Sequence, residues 1–444
     1  MKQYAEYKDS GIEWIGEIPS EWGVLPVKRL ATDKSSLFLD GDWIESDVIE
    51  ESGIRYLTTG NIGRGFFKEQ GGGYISEETF IKLKCLEILP DDLVISRLNE
   101  PLGRACLIPY THDRYVIAVD NVVLRPNKGY HKKYILYCMN AQRYSEAALL
   151  VARGATMQRI SRTILGNLLL PIPPFDTQKH ISNYLDRKTA GIDALIADKQ
   201  KLVELLQEKR ATVISQAITK GLDKTAKMKD SGIEWIGEIP VEWEIKKLAF
   251  CADVQTGPFG SQLHSEDYVD QGTPIITVEH FGDGVILHKK LPLVSKSDTE
   301  RLGKYSLSEN DLVFSRVGSV DRCVIVKQEE SGWLFSGRCL RVRFNKNVDI
   351  SPEYINTFFS LKSFREYMLL VAVGATMPSI NTTILNNIPI IVPTADEQDK
   401  IVCFLKDKIF KFDSLISNIN EQIEKLKEYR QAVISEVVTG RVAV

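Results

Sequence analysis

Lys8–Trp22 reads KDSGIEWIGEIPSEW, and Lys229–Trp243 reads KDSGIEWIGEIPVEW. Only Ser20 against Val241 differs across the fifteen positions, at an offset of 221. The match recurs along the chain. DLVISR (92–97) returns as DLVFSR (311–316), and VARGATMQRISRTIL (151–165) as VAVGATMPSINTTIL (371–385). DTQKHISNYLDRKTAGIDALI (176–196) returns as DEQDKIVCFLKDKIFKFDSLI (396–416), and EKRATVIS (208–215) as EYRQAVIS (428–435). Chance does not hold one register over so many blocks, so the chain is two tandem copies of one unit. Two long copies are not the many short repeats of a solenoid.

Between these anchors the copies diverge. Residues 30–90 contain LTTGNIGRGFFKEQGGGY, whereas 249–309 contain QTGPFGSQLHSEDY and PIITVEHFGDG. A shared framework carrying two different central segments is what two distinct recognition surfaces require.

The stretches 176–220 and 396–440 predict helices of ~45 residues, about 65 Å at 1.5 Å per residue. Leu185, Ile192, Leu206 and Val213 recur at multiples of seven, with Leu195 and Leu202 as the adjoining line. The second copy offers Leu405, Phe412, Ile419, Leu426 and Val433, joined by Leu415, Gln422 and Tyr429. These are heptad seams, interrupted by Lys199 and Lys209, and matched seams favour pairing of the two helices, an antiparallel pairing giving a pseudo-two-fold. Packing of each helix on its own domain stays open. Pro173-Pro174 and Pro393 stand where proline can restrict the start of a helix without breaking it.

The central segments predict mixed α/β structure. Strand-like runs are Ile54–Thr58, Asp92–Ser96, Val116–Leu124, Pro274–Val278, Asp311–Ser315 and Leu340–Phe344. Short helices are expected over Lys132–Met139, Arg143–Val151, Pro352–Phe359 and Phe364–Val371.

The 444 residues, 43% hydrophobic and 26% charged, have the composition of a globular protein with real cores. No run approaches the ~18 apolar residues of a membrane span, and MKQYAEYKDSG has no apolar signal core. Seven scattered cysteines without a C-x-x-C pair predict core residues in a reducing cytoplasm. The net charge of −3 is low for a nucleic-acid binder. Residues 23–175 carry 19 basic and 17 acidic groups, and 244–395 carry 16 and 17, so partner chains would have to supply much of any phosphate neutralisation.

Catalytic motifs are absent from the sequence. There is no H-x-x-x-H, H-E-x-x-H, G-x-x-x-x-G-K-[ST] or G-x-S-x-G, and Gly71–Gly73 lacks a dinucleotide-site setting. Pro173-Pro174-Phe175 approaches the N-P-P-[FY] motif of adenine methyltransferases, but Ile172 stands where a hydrogen-bonding side chain is needed.

Surfaces suited to reading DNA are easier to name. Arg can bond guanine O6/N7 in two places, Asn and Gln can do so with adenine N6/N7, and glycine-rich loops bring backbone close to phosphate. The first copy offers Thr58, Thr59, Asn61 and Arg64, then Arg97, Arg104, Arg153, Gln158 and Arg159, with Arg162 beside them. The second offers Phe259, Ser261, Gln262 and His264, then Arg316, Arg322 and Arg338. Gly154 and Gly374 fit a turn needing positive φ.

Taken jointly, the duplicated K-D-S-G-I-E-W-I-G-E-I-P-x-E-W, the duplicated V-A-x-G-A-T-M-x-x-I-x-x-T-I-L and the P-P-x-D-T-Q and P-T-A-D-E-Q lead-ins resemble the specificity subunit of type I restriction–modification systems. Thr177 stands where that family more often has Glu. The resemblance implies two α/β (α+β) target recognition domains in pseudo-two-fold tandem, separated by two long antiparallel coiled-coil-like helices. The expected boundaries are 1–175, 176–220, 221–395 and 396–444.

The resemblance also implies a non-catalytic chain whose two domains read the halves of an asymmetric bipartite site on double-stranded DNA. Its implied partners are two modification subunits that use S-adenosylmethionine to methylate adenine, and restriction subunits that use ATP and Mg. The chain itself would bind no cofactor or metal and would work in a bacterial or archaeal cytoplasm. Two other readings remain open from residues alone: a free-standing methyltransferase, and a scaffold whose divergent segments bind protein.

Overall fold

A computed structural model describes residues 3–154, 157–258, 262–374 and 377–444. Two compact units emerge. The first joins residues 1–200 to 420–444, and the second is residues 201–419. Each long helix therefore contributes to both.

The repeated fifteen-residue block is structural in both units. Strand Tyr7–Asp9 pairs antiparallel with Glu17–Pro19, and Met228–Asp230 with Glu238–Pro240. The block buries Ile15, Ile18 and Trp22 in the first unit and Ile236, Ile239 and Trp243 in the second. Each tryptophan receives the end of a long helix. A Cβ on Gly440 would lie 2.4 Å from Pro19 and 3.0 Å from Trp22, and one on Gly221 would lie 3.0 Å from Trp243. Both glycines also have φ near +75°, so backbone angle and space select the same residue.

The first unit holds an antiparallel sheet in the order Leu37–Asp40, Asn121–Arg125, Leu93–Ser96, Ala105–Leu107. Beside it lies a mixed sheet of Gly73–Ile75, Ile54–Leu57 and Tyr115–Ile117. The second unit repeats the first sheet as Ala252–Thr256, Cys339–Phe344, Leu312–Ser315 and Cys323–Ile325, extended by Gly284–Val285. Thr273–Ile276 and Leu334–Phe335 repeat the parallel pair of the mixed sheet. The run expected as one strand, Val116–Leu124, is two: the chain changes sheets at a corner over Ala118–Asp120, closed by Asn121 N–H donating to Ala118 O at 2.8 Å.

The expected short helices form as Lys132–Met139, Gln142–Leu150, Pro352–Phe359 and Lys362–Val371. They pack under the sheets. In the first core Leu93, Ile95, Val122, Tyr134 and Tyr144 meet Ile181 and Leu185 of one long helix and Ile434 and Val438 of the other. In the second, Leu312, Phe314, Leu340, Tyr354 and Phe364 meet Ile401, Leu405, Ile214 and Ile218.

The long helices span Phe175–Lys220 and Ala395–Val438. Inside the first unit Arg430 reaches Asp193 through two nitrogens, at 2.8 and 3.1 Å, and Lys199 bonds Gln422 at 2.6 Å. A later residue on one helix meets an earlier one on the other, so the pairing is antiparallel. Arg210 and Asp413, 3.0 Å apart, repeat the first contact inside the second unit.

The expected first seam line holds: Leu185, Ile192, Leu405, Ile419 and Val433 are buried, and Leu206, Val213, Phe412 and Leu426 half-buried. The adjoining line is one residue away from the expected one. Leu195, Leu202, Leu415 and Tyr429 are exposed, as is Gln422, while Thr189, Ile196, Val203 and Arg210, and Ile409, Ile416, Ile423 and Arg430, turn inward.

Candidate DNA interface

In both units the residues on either side of the GATM block pair in the same way, as the two arms of a hairpin. Arg153 and Arg159 exchange backbone hydrogen bonds of 3.0 and 2.9 Å, as do Val373 and Ser379 at 2.9 Å each. The hairpin is tied to the strand end alike. Ile160 N–H donates to Arg97 O at 3.0 Å and Asn99 N–H to Gln158 O at 3.1 Å. Ile380 N–H donates to Arg316 O at 2.9 Å and Gly318 N–H to Pro378 O at 2.9 Å. Gly154 and Gly374 have φ of 107° and 108°, and a Cβ on Gly154 would stand 2.4 Å from Met157 O. The sheet-changing corner completes the platform: Arg97 N–H donates to Asp120 O at 2.9 Å, and Arg316 N–H to Arg338 O at 2.8 Å.

Upon this shared platform the side chains differ. In the first unit Arg159 Nη2 lies 2.6 Å from Asp120 Oδ1, an ionic contact. Asp40 stands between buried Arg97 at 3.1 Å and half-buried Arg162 at 3.4 Å. Burial lowers the pKa of Arg97 and Asp40 opposes that fall, with smaller effects from Arg159, Asp120 and Arg162, so these five charges form one cluster. The bonds Gly41 N–H to Asn121 O and Gly257 N–H to Cys339 O equate Asp40 with Thr256. The second unit therefore presents Thr256, Arg338, Ser379 and Thr382 where the first presents Asp40, Asp120, Arg159 and Arg162.

Several residues expected at the surface serve the fold instead. Arg104 is 9% exposed and donates to the carbonyls of Ile62, Thr59, Asn99 and Leu98 at 2.7–3.1 Å. Arg97 donates to Ile160 O and Val119 O. Asn61 is fully buried, accepts Thr58 N–H at 2.8 Å and donates to Lys68 O at 2.9 Å. Arg64 bonds Asn140 O and Gln142 Oε1, and burial beside Arg430 lowers its pKa.

The counterpart of the 58–64 loop is 277–283, not the 257–264 stretch. His280 copies Asn61, accepting Thr277 N–H on Nδ1 at 3.0 Å. Gly282 N–H to Val285 O copies Gly63 N–H to Phe66 O, both at 2.9 Å. The two are hard to match by eye because His replaced Asn while keeping the acceptor.

In the second unit Gln262 accepts the Tyr305 hydroxyl at 2.9 Å, and His264 is exposed at the start of a short turn. Arg316 Nη1 donates to Gly337 O at 3.2 Å, while Arg322 and Arg338 are exposed. Phe259 and Ser261 lie outside the described residues. Among first-unit candidates Arg153 and Arg159 are exposed and Gln158 half-buried.

Six of the cysteines are buried, and burial pushes the thiols of Cys106 and Cys138 up to about 12, so neither is a nucleophile at neutral pH. Among the described residues one trio, His288, Glu329 and Glu330, has metal-ligand spacing, and His288 Nε2 is already 2.7 Å from Glu330. No helix among them is long and apolar enough to cross a membrane.

A duplicated α/β chain with one platform and two sets of side chains is the architecture of a specificity component. A family model described as the type I restriction modification DNA specificity domain matches residues 35–205 and again 240–425. The chain belongs to this family, whose members are non-catalytic specificity subunits.

It is similar to the type I restriction enzyme EcoKI specificity subunit of Escherichia coli K12, 22% identical over 436 residues, covering 96% of this chain and 90% of the relative. The MjaVIII specificity subunit of Methanocaldococcus jannaschii is 23% identical over 296 residues, 66% of each chain. Two solved structures share the fold at 14% identity. The HsdS subunit from Thermoanaerobacter tengcongensis has a TM-score of 0.54, covering 96% of this chain and 98% of its own. A chain from a study of assembly and conformational transition of the type I R-M system has 0.67, covering 95% and 98%.

Proposed function

We propose that this chain is the sequence-specific DNA-reading subunit of a type I restriction–modification complex, and that each unit reads one half of an asymmetric bipartite site. The observation that carries this reading is the identical hairpin platform with unlike side chains, Asp120 and Arg159 against Arg338 and Ser379. Two related modules suit two half-sites, and unlike side chains suit half-sites of different sequence. Recognition segments 1–175 and 221–395 would be carried by the helical segments 176–220 and 396–444. The exposed residues Arg153, Arg159, His264, Arg322 and Arg338 are the favoured DNA contacts among those named from sequence.

Near-neutral recognition segments leave the phosphate charge to partners. Those partners are two modification subunits that bind S-adenosylmethionine and methylate adenine, and restriction subunits that use ATP and Mg, in a bacterial or archaeal cytoplasm. This chain contributes recognition and binds none of those cofactors.

The test is recovery of the tagged chain from its native cells together with adenine-methylation mapping, with and without the gene. Co-purification of a methyltransferase and loss of methylation at a split motif support the reading. An unchanged methylome with no methyltransferase recovered overturns it. Replacing 23–175 by the segment of a relative is expected to alter one half of the motif only.

A further inference from the structure

We infer that Arg159, held by Asp120, reads a guanine in the half-site of the first unit, and that this pair is a specificity determinant which the second unit lacks. The inference rests on the DNA-reading function proposed above and names the residue and base class within it.

A lone surface arginine binds phosphate at least as readily as a base. A carboxylate beside it changes that balance, because the pair is formally neutral and the anionic oxygen repels a phosphate. What remains attractive is a neutral group offering paired acceptors, and in the major groove guanine offers O6 and N7. Arg159 Nη2 lies 2.6 Å from Asp120 Oδ1, and the Arg159 side chain keeps half its surface exposed, so among its five N–H donors some stay within reach of an outside acceptor pair. The backbone of Arg159 is fixed at both faces by its bonds to Arg153 and the hairpin's tie to Arg97 and Asn99. An arginine held at both backbone and side chain loses less freedom on binding a base.

The second unit supplies an internal comparison. Its hairpin has the same hydrogen bonds, but the arginine position is Ser379 and the carboxylate position is Arg338. A structural ion pair needed to hold the hairpin would be needed in both copies. It is present in one, while the hairpin is present in both, so the pair is dispensable to the fold. The guanidinium of the second unit rises from the corner instead of the hairpin, and the two half-sites should differ at the base pair beneath this feature.

The test is selection from a randomised duplex library with the full chain co-purified with its modification subunit, comparing wild type, R159A, R159K and D120A, with folding followed by thermal melting. Wild type is expected to enrich a bipartite motif with a guanine in one half. R159A and R159K should lose about tenfold or more of the preference at that one position and keep the other half-site unchanged. R159K keeps the charge without the planar fork, so its loss separates base reading from phosphate attraction. D120A should weaken the same position while overall affinity stays within a few-fold.

Retention of the full guanine preference in R159A or R159K overturns the inference. So does a loss spread evenly over all sequences with a shallower salt dependence, the signature of a phosphate contact. Failure of wild type to select any motif is a different result: it overturns the DNA-reading function itself.

Discussion

The hydroxyl of Tyr134 donates to the carbonyl of Val438 at 3.1 Å, across 304 positions of chain, sharing its proton with Pro171 O at 2.8 Å. Tyr354 makes the corresponding bond to Ile218 O at 3.0 Å. Both rings are fully buried, and burial holds both hydroxyls protonated well above the usual range, so they remain donors. The first unit is thus closed by the last turn of the second long helix, and the second unit by the last turn of the first.

Removal of either hydroxyl leaves helix-end carbonyls without a buried donor. Y134F is expected to cost about 1–2 kcal/mol. Hydrogen exchange would locate the loss in residues 1–200 and 420–444, and Y354F should place the same loss in 201–419. A Y134F effect spread over both units would contradict this division of the chain.

The duplicated aspartate of DLVISR and DLVFSR has a structural cause. Asp92 is 2% exposed, receives Arg125 Nε at 2.8 Å and caps Leu89 N–H at 3.0 Å. Asp311 receives Arg343 Nε at 2.7 Å and Ser308 N–H at 2.8 Å. The arginine partners are part-exposed, which reduces the penalty for a broken buried pair, and D92N is expected to cost ~1–3 kcal/mol. A lower urea midpoint at unchanged slope would bear this out. D311N should act equally in the other unit.

Arg104 and Arg159 should separate folding from recognition. R104A removes a buried guanidinium that bonds the carbonyls of Ile62, Thr59, Asn99 and Leu98 and is expected to cost ~2–4 kcal/mol, with DNA affinity lost only as the first unit unfolds. R159A removes a half-exposed ion pair and should leave stability within about 0.5 kcal/mol. Equal melting temperatures for R104A and wild type would show that the buried arginine is not what holds the 59–62 and 98–101 segments together.

The duplication and the four short helices were legible because both rest on local pattern. Lys132–Met139 and Pro352–Phe359 form with the bounds the sequence predicts. The second seam line lies one residue from the line that apolarity alone selects, because Leu195 and Leu202 are more apolar than Thr189 and Arg210, although the latter turn inward, where the Thr189 hydroxyl bonds Leu185 O at 2.8 Å. Arg97, Arg104 and Asn61 stood out as polar residues in suggestive places, but the carbonyls they serve lie up to 63 positions away, which spacing does not reveal. Asp40 and Asp120 carry no signal in the sequence, because an acid repels phosphate and does not mark a DNA-reading surface. Their counterparts Thr256 and Arg338 lie at offsets of 216 and 218 rather than 220, so matching blocks in register hides them.

Acid should weaken the first unit selectively. Buried Gln178 accepts His131 N–H at 2.8 Å, and Gln398 accepts Ser351 N–H at 2.7 Å, so histidine in one unit replaces serine in the other. Burial lowers the pKa of His131 below its usual 6.5, helped by Lys179 and Lys133 and opposed by Asp186 and Asp91. With the folded value below the unfolded one, the proton binds the unfolded chain more tightly. Stability is therefore full above about pH 6.5 and falls as pH drops through the folded value. Unfolding of the first unit followed from pH 8 to 5 should show this loss, and H131S, which copies the second unit, should flatten it. An unchanged acid dependence in H131S would assign the effect to another group.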